Sequence, residues 1–197
     1  YHGTLFGNFA NSSMQSSNLT PELQARGLPT PNAVKQIWDI NPGFGGPIKR
    51  DKLWFYASVR QNVAETYVAG MFLDRNTDPN VWTFEPDTSQ RASNDNEWKA
   101  AQVRVTWQAS ARHKLAVSFD NQRACYCPNA VSATQAVEAS YLRWFPVERA
   151  WQGDWTAPLT NRLLLEGSVF QRLETVRRDP KEGLNPAMIG VTEQGGA

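Results

Sequence analysis

The side chains of this sequence that could do chemistry are few and widely spaced. The only cysteines, Cys125 and Cys127, form a Cys-x-Cys pair, and the only histidines are His2 and His113. A structural zinc site needs four ligands close together, so the Cys-x-Cys pair cannot supply one locally. We expect the two cysteines in a loop, either free or joined in a local disulfide. No G-x-S-x-G motif is present and no base is placed beside a nucleophile, which argues against nucleophilic catalysis.

Carboxylates are the remaining candidates for catalysis. Asp87 or Glu85 could be paired with Glu97 as the two acids of a glycoside hydrolase, but no motif in the sequence supports such a pairing. We therefore expect a protein that is not an enzyme, with no catalytic residue, no metal site and no cofactor.

Composition narrows the class of protein. Hydrophobic residues make up 41% of the 197, with eight Trp, nine Phe and five Tyr, and the mean hydropathy is -0.52. The longest apolar runs, such as 163–165, are far shorter than the roughly 20 residues of a membrane helix.

Twenty basic and 19 acidic residues are mixed along the chain, for a formal net charge of +1. No basic stripe is available for a phosphate backbone, so we expect no nucleic-acid partner.

The strongest periodicity in the sequence has a period of two residues, which is typical of β-strands. From Leu53, apolar residues alternate with Trp54, Tyr56, Ser58 and Arg60, and the same alternation returns further along the chain. The segments that show it are 1–9, 53–60, 101–108, 115–122, 151–156 and 163–172.

The connections between these segments fall into two classes. Short ones are expected at 49–52, 109–113 and 157–161, and long ones at 12–32, 70–96 and 125–140, so the two classes alternate. In the first long segment, Thr20, Pro21 and Glu22 predict a short helix to about Arg26, ended by Gly27. We expect residues 74–96 to be exposed and mobile, because they are dense in turn-forming side chains.

Alternating short and long connections are typical of outer-membrane barrels, in which short periplasmic turns lie at one rim and long loops at the other. The fold class we predict is all-β: an antiparallel up-and-down meander of about seven strands, part of a large transmembrane β-barrel. Trp54, Trp107 and Trp155 each lie near a short turn, where barrels carry an aromatic girdle, although Trp54 has the opposite parity and would point inward. Core aromatics of a soluble sandwich are the alternative explanation.

One string of residues resembles a known family. Residues 45–55, Gly-Gly-Pro-Ile-Lys-Arg-Asp-Lys-Leu-Trp-Phe, are similar to a signature of TonB-dependent receptors, in particular the subgroup with an N-terminal carboxypeptidase-regulatory-like domain. In that signature one barrel strand ends, a periplasmic turn follows and the next strand begins. Residues 1–7 and 158–167 also resemble strands of these barrels.

The resemblance implies a wall segment of a barrel of about 22 strands that is closed by a plug domain. Residues 1–197 would hold early barrel strands without the plug, so we expect a piece of a longer protein, located in the bacterial cell outer membrane. Its expected partners are outer-membrane lipid, its own plug domain and remaining barrel strands, and the TonB system acting through the plug. The implied function is uptake of a scarce nutrient: a siderophore, an oligosaccharide or a peptide.

Two sets of site residues follow from this interpretation. One is a lumen-lining set of polar side chains with inward parity: Arg60, Arg104, Asp120, Gln122, Asp154, Glu166 and Arg172. The other is a weak ligand-binding set in or near extracellular loops: Trp82, Phe84, Tyr126 and Trp144. The alternative function is a soluble all-β binding module, such as a carbohydrate-binding sandwich with exposed loop aromatics.

Overall fold

The computed structural model describes residues 1–76, 78, 81 and 83–181. Within them the chain forms one helix, a short 3-10 turn at Ser12–Met14 and seven strands. The elements are β1 (His2–Asn11), α1 (Pro21–Ala25), β2 (Ala33–Lys49), β3 (Leu53–Asp74), β4 (Pro86–Gln108), β5 (Lys114–Asn129), β6 (Tyr141–Thr160) and β7 (Leu163–Pro180).

The seven strands lie in one sheet in the order β1-β2-β3-β4-β5-β6-β7, and every neighbouring pair is antiparallel. The predicted all-β up-and-down meander of seven strands is therefore confirmed. The described sheet is open, with β1 and β7 as its edges. No helix in this part of the chain is long and apolar enough to cross a membrane.

Helix α1 begins and ends where the sequence indicates. The Thr20 hydroxyl accepts a hydrogen bond from the backbone N–H of Leu23 at 3.4 Å, and Pro21 occupies the first helical position. Gly27 follows with a φ of 90°, a left-handed conformation that glycine adopts at little cost. The helix lies in the connection between β1 and β2.

The alternation of short and long connections is present, but the predicted bounds of three connections were wrong. β3 and β4 continue into the expected long segment 70–96, leaving 75–85 as the connection, and β5 continues to Asn129. β6 continues through Pro158 to Thr160, so the third short turn is 161–162 and not 157–161. A register irregularity between Pro158 and Thr160 accommodates the proline, which has no N–H for the ladder.

A small apolar cluster explains why the β3–β4 hairpin extends so far. Ala92 is fully buried and packs with residues of β3 and of the connection between β5 and β6; the cluster comprises Val68, Met71, Ala92, Val131 and Val137. Asn94 also links β4 to this connection, because its side chain both donates to and accepts from the backbone of Val131, at 2.8 and 3.0 Å. The segment expected to be mobile is therefore partly a packed strand.

Aromatic rings replace missing side chains around three glycines at the end of β2. Gly45 pairs with Tyr56, whose ring lies against Gly43 and Gly45 on one face of the sheet. On the other face the ring of Tyr1 occupies the place of a side chain at Gly46. A side chain at any of these positions would exclude the ring that packs there. This packing explains why glycine occupies three positions of the Gly-x-Gly-Gly string.

We expect Gly45→Ala to lower the free energy of unfolding by about 1–3 kcal/mol, because the new Cβ overpacks this site. That Cβ would stand 2.7 Å from the carbonyl oxygen of Phe55, which is backbone and cannot rotate away. The matched control is Gly7→Ala, whose Cβ would meet nothing closer than 3.9 Å, at the Asp39 carbonyl. Urea unfolding followed by tryptophan fluorescence measures both, and an equal effect of the two variants would contradict the packing role.

Candidate functional site

One face of the sheet is mainly apolar near the short turns and the other is more polar. The strand pairing shows which residues of each strand belong to which face. Directly paired residues share a face, so a continuous row can be followed across β3 to β7 through Leu53, Trp107, Leu115, Trp155 and Gly167. We call the face that holds this row the apolar face and the opposite one the polar face.

The apolar face carries a band to which all seven strands contribute. We define the apolar band as Leu5, Gly7 and Phe9 of β1; Trp38, Ile40, Pro42 and Phe44 of β2; Leu53, Phe55, Ala57 and Val59 of β3; Ala101, Val103, Val105 and Trp107 of β4; Leu115, Val117 and Phe119 of β5; Trp151, Gly153 and Trp155 of β6; and Leu163, Leu165, Gly167 and Val169 of β7.

Many side chains of the apolar band are exposed, with Val117 at 55% and Leu5 at 78%. No large side chain among the described residues is fully buried. Monomeric soluble proteins rarely expose a continuous apolar surface of this extent, so the apolar band requires a covering.

On every strand the apolar band ends at a polar residue on the side away from the short turns. We call this end of the band its upper limit. The next residue on the apolar face is polar in all seven strands; these residues are Asn11, Gln36, Gln61, Lys99, Asn121, Arg149 and Gln171. Above them the same face becomes charged, with Lys35 Nζ at 3.0 Å from Glu65 and 3.3 Å from Asp95. The apolar surface is therefore a stripe with a defined upper limit.

The line of short turns is slanted relative to the strands. Trp107 of β4 pairs with Leu53, the first residue of β3, and β4 continues for one more residue before its turn. Lys114, the first residue of β5, pairs with Thr156, and β6 continues for four more residues before its turn. With about 3.4 Å per residue and about 4.8 Å between strands, the line of turns lies roughly 40° from the perpendicular to the strands.

The upper limit of the apolar band slants in the same direction. Gln61 and Lys99 pair with each other, whereas Asn121 pairs with Ala101, two residues closer to the turns. On β7 the limit is Gln171, which pairs with Trp151 and lies a further two residues closer. The upper limit of the band and the line of turns therefore slant in the same direction, and the band spans six to eight residues on each strand.

The polar face carries all seven residues of the predicted lumen-lining set. Register places Arg60 and Gln122 opposite Ala100, Asp120 opposite Gln102, and Arg172 opposite Ala150. Four of the set take part in ion pairs: Arg60 with Asp39, Arg104 with Asp154 at 3.4 Å, and Arg172 with Glu148 and Glu174.

A row of contacts crosses the polar face at one height. Arg60 donates through Nη2 to Asp39 Oδ2 at 2.6 Å, and through Nε to both carboxylate oxygens at 3.1 Å. Its guanidinium carbon lies 5.2 Å from the ring centroid of Trp98, a cation–π arrangement. Trp98 Nε1 in turn donates to Gln122 Oε1 at 3.0 Å. β2, β3, β4 and β5 are thereby connected by side chains as well as by backbone.

A groove on the same face continues this row toward β7. It lies between Trp98 and Gln122 on one side and Glu148 and Arg172 on the other. Tyr126 forms part of its wall, with its ring edge-on to Phe145 at 5.7 Å. An ionic and aromatic surface of this kind suits a polar protein surface or a polar ligand.

The structure describes three of the four residues of the predicted ligand-binding set. Tyr126 and Trp144, expected in or near loops, lie within β5 and β6 and on opposite faces, since Trp144 pairs with Cys125. Phe84 is exposed in the connection 75–85. Trp82 lies outside the described residues. Tyr126 and Trp144 lie near the connection 130–140, since Tyr126 is three residues from the end of β5 and Trp144 three residues from the start of β6. Ligand binding by these side chains stays a prediction.

The cysteines also lie in a strand and not in a loop. Cys125 and Cys127 belong to β5 and are joined by a disulfide, with their Cα atoms 5.4 Å apart. Of the two alternatives left open by the sequence, free or disulfide-bonded, the structure has the second. In the described part of the chain, no three His, Cys, Asp or Glu side chains are grouped so that they could hold a metal ion.

Asp39, Trp98 and Glu148 were missed by the sequence reasoning. Glu148 has the same parity as Asp154 on β6, and Trp98 the same parity as Arg104 on β4, so extending each alternation further from its turn would have found both. Asp39 had no such signal, because its strand was recognised only at its glycine-rich end.

The fold and its two faces define an all-β protein with one antiparallel up-and-down sheet, which carries an apolar band on one face and a mixture of ionic, polar and aromatic side chains on the other. No family model, no curated protein and no solved structure matches this chain.

We expect Arg60→Gln to destabilise the protein by about 1–3 kcal/mol, because it leaves a buried carboxylate without its cationic partner. The side chain of Asp39 is only 7% exposed, while that of Arg60 is 39% exposed, so solvent partly screens the pair. The control is Arg177→Gln: Arg177 pairs with Asp179 at 2.7 Å but is 65% exposed, and its loss should cost at most about 0.5 kcal/mol.

Chemical unfolding of both variants measures the difference. Adding Asp39→Asn to Arg60→Gln should recover part of the lost stability, since the unpaired charge is then removed. A cost for Arg60→Gln no larger than that for Arg177→Gln would show that the polar-face row does not contribute to stability.

Proposed function

We propose that this chain is a wall segment of a TonB-dependent outer-membrane transporter that takes up a scarce nutrient such as a siderophore, an oligosaccharide or a peptide. The observation that carries the proposal is the apolar band: it crosses all seven strands over six to eight residues each, and its upper limit slants in the same direction as the line of short turns. Lipid is the covering that this geometry suits best.

The dimensions support a membrane-spanning wall. From Leu53 to Gln61 the band extends for eight residues along β3, which is about 27 Å of strand. Projected onto the normal of the slanted line of turns, this is roughly 20 Å, against the roughly 25 Å of the apolar band of outer-membrane barrels. The slant of roughly 40° is close to the tilt of about 35–45° at which such barrels hold their strands.

The polar face supports the assignment of an interior. In barrel walls the residues opposite the lipid face water or an inserted domain, and charges there can be paired. The ion pairs of Arg60, Arg104 and Arg172 fit a surface that faces a plug domain. Further barrel strands would pair with β1 and β7, whose backbone groups are otherwise exposed at the sheet edges.

The choice of the TonB-dependent class rests on the resemblance of residues 45–55 to that family's signature. The packing of Tyr56 over Gly43 and Gly45, and of Tyr1 over Gly46, supplies a physical reason for the glycines of that string. The plug, and the TonB system acting through it, would be the moving parts, and residues 1–197 would supply the wall.

The alternative is a soluble binding module in which a second sheet covers the apolar band. Subcellular fractionation of the full-length protein separates the two functions. The transporter proposal expects the protein in the outer membrane, released only by detergent. Recovery in the soluble fraction would overturn the proposal and favour the soluble module.

A charge placed in the apolar band should be costly only if the band faces lipid or another apolar partner. We expect Val103→Arg to destabilise the folded protein by about 2–4 kcal/mol, the cost of an arginine near the bilayer midplane of a barrel. The control is Gln102→Arg, the preceding residue of β4, which lies on the polar face opposite Asp120 and should be tolerated.

Folding of the two variants into lipid vesicles, read as the folded fraction over a urea series, gives the comparison. Equal tolerance of arginine at both positions would contradict a lipid-facing band.

A further inference from the structure

The short turns form a basic rim directly beside the apolar band. Residues 49–52, 109–114 and 160–163 contain six Lys and Arg side chains and one acid, Asp51. The basic residues are Lys49, Arg50, Lys52, Arg112, Lys114 and Arg162. Since the whole chain has a formal net charge of only +1, this rim concentrates positive charge at one end of the sheet.

A groove on the apolar face begins at this rim. It has a volume of about 470 Å³, and its walls are Lys49 and Lys52 at the rim with Leu53, Val105, Trp107, Leu115 and Val117 of the apolar band. A backbone hydrogen bond from Gln108 N–H to the Lys52 carbonyl, at 2.8 Å, holds the first turn against the end of β4. The groove therefore has a fixed cationic end and an apolar body.

The two lysines are available for a ligand. Among the described residues, no carboxylate forms an ion pair with the Nζ of Lys49 or Lys52, and both side chains are exposed. A lysine beside an apolar surface keeps its ammonium group in the headgroup region while its methylene stem packs on the apolar side chains. Here the side chains of two lysines line one end of a single groove.

We infer that this groove binds one anionic phospholipid, with the phosphodiester at Lys49 and Lys52 and an acyl chain along Leu53, Val105 and Val117. The occupant has to be apolar along most of its length and negatively charged at one end, and a phosphatidylglycerol-type lipid has both properties. The inference rests on the proposed membrane function and adds to it a site of defined lipid preference at the short-turn rim.

The test uses the full-length protein reconstituted into phosphatidylcholine vesicles that contain a minor fraction of brominated lipid, because bromine quenches nearby tryptophans. Trp107 lines the groove, and subtracting the quenching of Trp107→Phe isolates its signal. We expect brominated phosphatidylglycerol to be preferred over brominated phosphatidylcholine at Trp107 by about fivefold or more at low ionic strength, and less at high salt.

Charge variants locate the preference. Lys52→Gln should reduce it several-fold, and Lys49→Gln with Lys52→Gln should abolish it. Arg162→Gln is the matched control, because it removes one charge from the same rim outside the groove and should leave the preference unchanged. Native mass spectrometry of the parent and of the lysine variants, titrated with each unlabelled lipid, gives a second measurement that does not need the tryptophan variant.

The outcomes distinguish this inference from the proposed function. Equal quenching of Trp107 by both lipids would overturn the lipid site and leave the membrane wall intact. An equal loss of preference in Arg162→Gln and Lys52→Gln would assign it to the rim as a whole and overturn the groove. No quenching by either lipid would overturn the membrane wall, and the lipid site with it.

Discussion

The register of the antiparallel ladder is the constraint on which every other feature of this structure depends. Side chains alternate between the two faces, so a slip of one residue moves a whole strand's side chains to the wrong side. A slip of β5 against β4 would bring Asp120 into the apolar band and Val117 to the charged face. The glycine and tyrosine packing at the first hairpin, and the ion pairs across the polar face, each favour one register.

The two ends of the sheet, one near the long connections and the other near the short turns, are stabilised in different ways. Near the long connections, β3, β4 and residues 130–140 pack a small cluster around Ala92, and this part needs no covering. Near the short turns the same strands expose their apolar side chains, and only an apolar environment can stabilise that surface. A sheet of this design depends on what surrounds it.

The same division gives the proposed wall its three surfaces. The apolar band would face lipid, the row through Arg60, Trp98 and Gln122 would face the interior, and the basic rim would face phosphodiester headgroups. The face on which a residue lies follows from the two-residue alternation along its strand. Together with the distance of the residue from the short turns, this alternation determines all three surfaces. Selection of a nutrient would belong to loops and to a plug.

The sequence by itself determined the strand class, the number of strands, helix α1 and the parity of the polar residues, because these follow from local periodicity and turn chemistry. All seven predicted polar positions lie on one face for that reason. It did not determine the ends of β3, β4 and β5, because turn-forming residues between 86 and 96 are held in a strand by contacts with residues distant in the chain.

Only the tertiary structure decided which side chains meet across strands. The partnership of Arg60 with Asp39, and the slant shared by the line of turns and the upper limit of the apolar band, depend on register. Register is a relation between segments up to dozens of residues apart, set by the summed packing of whole strands. A period of two residues within one strand carries no information about the neighbouring strand that it will face.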